Sequence, residues 1–512
     1  MKSYIFSILG VILVLSVSVL AGEPPEERWV ARYNNLDNNS LNYSHALAVN
    51  NSGDVYVTGA SYNSGTTSSD YATIKYGPSG NQLWAKRYHG SGNSYDQGDA
   101  IAVNNSGNVY VTGLSYGSGT GGDYATIKYD PNGNQLWVKR YNGPGNDEDR
   151  AWDLAIDNSS NVYVTGYSIG NGTSSDYTTI KYAPNGNQLW VKRYNGPGNS
   201  FDIARALAID GSNNVYVTGY SYGNGTNYDY ATIKYDPNGN QLWAKRYDGP
   251  ADGNDRAYAL AVDSSGNVYV TGRSWGGGTS DDYATVKYNS SGNQLWVARY
   301  NGPADNNDWA TALAVDNSGN VYVAGVTGYS DSGNTKYDYA TVKYAPDGNQ
   351  LWVADCNGPA HYLYPLTLAV LAIDDSCNVY LAGNSSSAGW NYDWVTVKYD
   401  PNGNQLWETD YNGPANNSDE VYGLAIDNSG NVYVTGWSAT SNGTCDYATI
   451  KYTQHDYCIS PFPADYDGDC KVNFTDFAML AENWLESTYI EDLAELTENW
   501  LECNFALQED CF

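Results

Sequence analysis

Histidine and methionine are scarce here, with four His and two Met in 512 residues. That argues against a metal centre built from imidazoles and against a methionine-lined groove. Positive charge is scarce as well: 26 Lys+Arg stand against 57 Asp+Glu, a net charge of −31. Lys and Arg must neutralise phosphates in a nucleic-acid complex, so the deficit argues against that class of partner. Charged residues make up only 16% and hydrophobic ones 41%, which excludes a charge-extended disordered polymer. The first 355 residues contain no cysteine; all seven lie at 356, 377, 445, 458, 470, 503 and 511. Disulfides are therefore a local device of the C-terminal end, and the odd count leaves at least one thiol free or paired between chains. Beyond the N-terminal segment no stretch is long and apolar enough to cross a membrane. No Gly-x-x-x-x-Gly-Lys phosphate loop occurs.

What is present begins with a leader. Lys2 precedes an apolar run over residues 5–14, and Ser16 to Ala21 supply small residues at the −3 and −1 positions. This predicts a signal peptide over 1–21, removed after Ala21, and a secreted or cell-surface protein. Ser16 and Ser18 shorten the apolar stretch below a comfortable span, which favours cleavage over anchoring.

A repeat dominates the rest. Trp29, Trp84, Trp137, Trp190, Trp243, Trp296, Trp352 and Trp407 are 55, 53, 53, 53, 53, 56 and 55 residues apart. After each Trp come a small apolar run as at 206–210, a Val-Tyr-Val-Thr-Gly type as at 215–219, and an Asp-Tyr-Ala-Thr-Ile-Lys-Tyr type as at 229–235. All four signatures are short and mostly rich in β-branched and aromatic residues, and each reads as a strand. Between them stand tight turns such as Asp-Pro-Asn-Gly-Asn at 236–240. Four antiparallel strands per unit, eight times over, predict an all-β, eight-bladed β-propeller over residues 28–452.

Side-chain size sets the phase. The Ala-Leu-Ala strand is smallest and suits the crowded position around the axis, whereas the Trp strand with its Lys and Arg suits the outer edge. Residues 28–33 then form an orphan outer strand, expected to pair with 446–452 and close blade 8. The rival phase, with Trp innermost, needs no such clasp.

Asn-Val-Tyr-Val-Thr-Gly, preceded by Asp-x-Ser-Gly and followed by Asp-Tyr-Ala-Thr, resembles the bacterial secreted β-propeller repeat family of SBBP type. The resemblance covers about residues 28–452 and implies the fold; that family supplies no reaction.

The pattern stops after Tyr452. Residues 453–512 hold 14 Asp+Glu and one Lys. Residues 453–464, with two Pro, read as a linker to a small helical module over 465–512. Asp465, Asp467, Asp469, Asn473 and Asp476 occupy loop positions 1, 3, 5, 9 and 12, with the Lys471 carbonyl at 7, a donor set suited to Ca²⁺. Phe477, Leu480 and Trp484 share a helical face after it. The segment resembles the first half of a type I dockerin, with Cys470 where that family has Gly. Residues 489–501 echo the helix without the Asp-x-Asp loop, so one Ca²⁺ site is expected. The resemblance implies that Phe474 and Thr475 help read a cohesin-like or other cell-surface partner.

Three groups of residues are candidates for function. Asn42, Asp96, Asp149, Asp202, Asp255, Asp308, Leu366 and Asp419 share one repeat position. Their six carboxylates would form an acidic ring at the tunnel mouth, holding a cation or basic ligand by focused potential, or else would satisfy loop N–H groups. A second Asp set, Asp70 through Asp446, and the Lys set, Lys75 through Lys451, are uniform around the ring. They read as strand-start hydrogen bonding and outward-pointing Lys. The loops carry Tyr222, Tyr228, Trp275, Tyr329 and Trp390, aromatics that suit stacking on sugar rings or packing on the blade edge. His45, His89, His361 and His455 read as isolated surface residues. Around blade 7 the pattern drifts: His361-Tyr-Leu-Tyr-Pro replaces the Asp-bearing loop, and Asp355-Cys356 replaces Arg-Tyr.

The evenness of the blades favours an exported, non-catalytic propeller that binds a glycan or protein and is attached through its calcium module. Polysaccharide cleavage on the same scaffold, with a carboxylate pair not identifiable from spacing alone, is the alternative. A structural role in a surface layer is the third.

Overall fold

The computed structural model describes residues 24–34, 40–62, 68–92, 94–278, 280–331, 334–356, 369–385 and 391–454. The leader, the linker beyond 454, the whole 465–512 module with its Ca²⁺ loop, Trp390, His361, His455 and Leu366 lie outside them. The described residues form eight four-stranded antiparallel sheets. Blade 4 is typical: inner strand Asp202–Ile209, then Val215–Tyr222, Tyr228–Tyr235 and the outer strand Gln241–Tyr247. Inner strands of neighbouring blades touch one another all the way round, including that of blade 8 (Asp419–Ile426) against that of blade 1 (Asn42–Val49). The small-residue strand is thus innermost, as its size predicts. Glu26–Tyr33 pairs with Cys445–Thr453, with Arg32 opposite Ala448 and Tyr33 opposite Tyr447, so the orphan strand closes blade 8. Among the described residues no helix is long and apolar enough to cross a membrane.

The repeated letters have repeated physical jobs. In the turn after the inner strand, Asp157 Oδ1 accepts the N–H groups of Ser159 and Asn161, and Oδ2 accepts the Tyr163 hydroxyl. That satisfies backbone donors in the turn and fixes the entry to the second strand. The core lies between blades and not within one. Tyr163 and Tyr177 of blade 3 pack against Val215, Val217 and Ile233 of blade 4, and the Tyr177 hydroxyl donates to the Ala231 carbonyl at 3.2 Å.

At the rim, Trp190 donates its Nε1–H to the Pro237 carbonyl of the next blade at 3.2 Å. Its ring covers Gly239, whose φ is +81° and where an added Cβ would meet the indole at 2.9 Å. The Gly of each such turn is needed both for the left-handed backbone and for this close approach. The lysines expected to point outward are tucked into the same joint. Lys181 is buried, lies 4.8 Å over the Tyr163 ring and donates to the Pro237 carbonyl at 3.0 Å. A four-carbon stem buried along apolar surface with a satisfied head is cheaper here than solvent exposure of the tyrosine beneath it.

Candidate functional site

The ring of carboxylates is present but closed. Asp96, Asp149, Asp202, Asp255, Asp308 and Asp419 are all 0% exposed. Each Oδ2 accepts the N–H of a loop glycine six residues earlier, as from Gly196 to Asp202 at 2.6 Å. Each Oδ1 accepts a second backbone N–H twenty residues later, as from Tyr222 at 3.2 Å. Burial pushes the carboxyls of Asp149, Asp255 and Asp308 up to about 6, and those of Asp96, Asp202 and Asp419 in the same direction. An acidic mouth offered to a ligand is therefore not what this position builds. It closes the outer-to-inner loop, because a buried N–H without an acceptor is costly. Asn42 occupies the position in blade 1, where its Oδ1 accepts the Ser61 hydroxyl at 2.7 Å and its Nδ2 donates to the Cys445 carbonyl at 3.2 Å.

The second Asp set is joined to the first through serine and arginine. In blade 2, Arg140 Nη2 donates to Asp123 Oδ2 and to the Ser115 carbonyl, both at 2.7 Å, while Nη1 reaches the Tyr88 hydroxyl of blade 1 at 3.3 Å. Ser115 bonds in turn to Asp96. Arg87, Arg193, Arg246 and Arg299 repeat the arrangement, and Arg32 of the closing strand supplies it to Asp446 in blade 8. Four repeats spell Gly-x-Ser-x-Gly, at 113–117, 166–170, 219–223 and 272–276, the letters of a nucleophile elbow. Here the serines are 0% exposed at a strand end and bonded to arginine, so they are parts of this lock.

Blades 6 and 7 break it. Their outer strands, Gln350–Cys356 and Gln405–Tyr411, carry Asp355 and Asp410 where the others have Arg. The Asp355-Cys356 irregularity thus belongs to blade 6, and Asp410 is its unnoticed counterpart in blade 7. The two changes are complementary: Cys356 removes the tyrosine hydroxyl that an arginine at 410 would have used. Burial, then the neighbouring Asp355, pushes Asp338 up to about 6; burial, then Asp419 and Asp410, does the same to Asp393. Burial also raises Asp355, and Glu408 rises through burial and Asp410. The buried Cys356 thiol donates to Glu408 at 3.8 Å, and both it and the half-buried Cys377 and buried Cys445 are free thiols.

The two described histidines, His45 and His89, are not isolated. His89 Nδ1 is 2.8 Å from Asp70 and 3.8 Å from Asp96, and Asp229, Asp248 and Asp255 form a comparable cluster in blades 4 and 5. His45 leads to a feature that sequence reading missed. In blades 1–6 and 8 the inner strand carries a β-bulge, as between Ala204 and Ala206 of blade 4. An extra residue there is re-aimed out of the ladder. The bulged residues are His45, Asp99, Trp152, Arg205, Tyr258, Thr311 and Tyr422, six residue types in seven blades of an otherwise near-identical repeat. From Tyr422 of blade 8 through to Arg205 of blade 4 they form a connected run. His45 lies 5.6 Å from the Tyr422 ring and 3.8 Å from Asp99; Arg150 pairs with Asp99 at 2.8 Å and stacks on Trp152 at 3.9 Å; Arg205 covers the other side of Trp152 at 4.6 Å. Burial lowers His45 below its ordinary value. Beside Trp152, Asp153 accepts the Leu207 N–H of blade 4 at 2.7 Å and is pushed by burial up to about 7. The only signal for this belt in the sequence is variability, since these letters change where the flanking ones repeat.

Of the predicted loop aromatics, Trp275 is 41% exposed and Tyr222 is half-buried 5.4 Å from Tyr228. Phe201, 49% exposed in the loop before blade 4, joins them. All three stand at the end of their blades where the inner strands begin.

A family model agrees with the propeller repeat. Residues 136–172, 189–226, 246–278, 296–334 and 411–443 match the SBBP beta-propeller repeat. Over 226 residues the chain is 26% identical to an uncharacterized WD repeat-containing protein of Acanthamoeba polyphaga mimivirus, which covers 40% of this chain and 14% of that protein. Among solved structures, an unknown-function protein from Dyadobacter fermentans is 8% identical with a TM-score of 0.38, over 84% of this chain and all 100% of that one. Drosophila Plexin A in complex with Semaphorin 1b is 9% identical with a TM-score of 0.37, over 71% of this chain and 86% of that one.

Proposed function

We propose that the protein is an exported, non-catalytic propeller that binds a glycan or a protein ligand through its loop face, and that residues 465–512 attach it to a cohesin-like or other cell-surface partner through one bound Ca²⁺. One observation carries the binding half: outside blades 6 and 7 the locks between blades repeat, whereas the bulged positions and the loop aromatics differ from blade to blade. A scaffold that repeats its locks and varies one belt suits recognition, in which each blade contributes a different contact. The attachment half rests on the donor spacing of Asp465, Asp467, Asp469, Lys471, Asn473 and Asp476 and on the dockerin resemblance of Phe474 and Thr475.

A glycan array and a reducing-end assay on the secreted chain test the first half. Retention on sugars without product release is expected; release of product sinks it. For the second, calorimetry with Ca²⁺ should give one binding event that disappears in Asp465→Ala, and absence of heat in the wild type removes the module from the reading. The cleavage alternative has its own support in Asp338 and Asp393. A carboxyl held near pH 6 beside a second carboxylate has the protonation behaviour of a general acid. If product does appear, Asp338→Asn and Asp393→Asn are the substitutions that should abolish it.

A further inference from the structure

In a chain of net charge −31, two guanidinium groups have no carboxylate. Arg205 sits at the bulge of the blade 4 inner strand, and Arg256 opens that of blade 5, Arg256–Val262. The buried Tyr220 ring lies between them, 5.8 Å from Arg205 and 5.1 Å from Arg256, with Trp152 on the far side of the first and Tyr228, at 4.8 Å, beside the second. Neither guanidinium makes an ion pair or hydrogen bond among the described residues. The Nε–H of each is buried without an acceptor, as is the Nε1–H of Trp152. Arg150 and Arg273, on the same arc, are paired with Asp99 and Asp281 at 2.8 Å, and the arginine of every lock has its aspartate. Acids adjacent in sequence offer nothing, because Asp202 and Asp255 spend both oxygens on backbone N–H groups. Arg256 is directly opposite Arg273 across the strand pair, and Asp281 neutralises Arg273 but makes no ion pair with Arg256.

Aromatic faces hold a guanidinium in place while leaving its rigid fork of donors for a planar anion. Two exposed aromatic rings flank these positions: Phe201 precedes Arg205 in the same chain segment, and Trp275 follows Arg273, the strand partner of Arg256. We propose that the Arg205–Tyr220–Arg256 sector between blades 4 and 5 binds the carboxylate of a uronate residue in an acidic polysaccharide. This rests on the reading of the propeller as a glycan binder and narrows it to an acidic class.

Calorimetry of the full chain with an oligogalacturonate should show binding that weakens as salt rises and falls about tenfold or more in Arg205→Gln and in Arg256→Gln. Arg28→Gln, on the closing strand, should leave it unchanged. Should either interior variant not fold, the wild type still decides: oligogalacturonate should raise its Tm, whereas a neutral malto-oligosaccharide and poly-L-glutamate at the same concentration should not. Binding of the neutral sugar alone overturns the uronate subsite and leaves the glycan reading standing. Preference for poly-L-glutamate overturns it in favour of a protein ligand. Failure of the array to retain any sugar removes the glycan reading as well.

Discussion

Outside blades 6 and 7, arginine at the outer strand is the residue on which the polar interior of the blade depends. Arg193 holds Asp176 at 2.7 Å and the Ser168 carbonyl at 2.8 Å, so Arg193→Ala leaves a buried carboxylate without its counter-charge, with only the Thr173 hydroxyl still donating to it. Breaking a buried ion pair by removing one member costs about 3–5 kcal/mol, and urea denaturation should read a loss of that order. The converse holds where the lock is absent. Asp355→Arg places a cation opposite Ala340, two residues from Asp338, and should raise the midpoint of unfolding while bringing Asp338 back toward the ordinary carboxylate range in an NMR titration. No gain in stability would show that blades 6 and 7 are packed around the acid pair. The Asp letters were legible as structural because they recur in every copy. Their partner was not, since Arg and Asp are 17 residues apart in one blade and only strand pairing brings them together.

At the scale of the element, the closing strand does two jobs. Glu26–Tyr33 covers the free edge of Cys445–Thr453, and its Arg32 donates to Asp446, Ser438 and the Tyr411 hydroxyl of blade 7. Removing residues 24–33 therefore opens a nine-residue strand edge and strips the lock of blade 8 at once. An exposed flat edge pairs with other chains, so the truncated protein should self-associate in light scattering while the full chain stays dispersed; a dispersed truncation with an unchanged Tm would refute the clasp. This element was legible because residue volume differs along the repeat: alanine-rich against Trp-bearing strands fix which is inner, and the phase then leaves 28–33 over. The bulge belt was not, because a bulge is a property of two strands in register, and the sequence shows only that His45, Asp99, Trp152 and Arg205 fail to repeat.

The whole molecule stores protons that its unfolded chain would release. Asp149, Asp255, Asp308, Asp338 and Asp393 sit at about 6 and Asp153 at about 7, against an ordinary value of 3.8, chiefly because burial disfavours their charged forms. Between pH 4 and their folded values these groups bind more protons folded than unfolded, so stability is greatest at the acid end of that window and is lost as pH rises through 6 to 7. The turn aspartates Asp210, Asp263 and Asp316 are held below their ordinary value, chiefly by hydrogen bonds to Asn, Ser and Tyr in their turns that outweigh burial, and lose their contribution only when pH falls below about 4. The two sets together place the maximum at about pH 4, with stability falling from there toward neutrality. Calorimetric Tm should be higher at pH 5 than at pH 7.5 by roughly 5 °C or more. Relief of surface repulsion in a chain of −31 acts in the same direction, but salt separates the two causes, because added salt at pH 7.5 screens exposed charges and does not reach buried carboxyls. If moderate salt at pH 7.5 recovers the whole difference, the surface is responsible. If most of it persists and Asp153→Asn flattens the profile between pH 6 and 7, the buried aspartates set the stability of the ring.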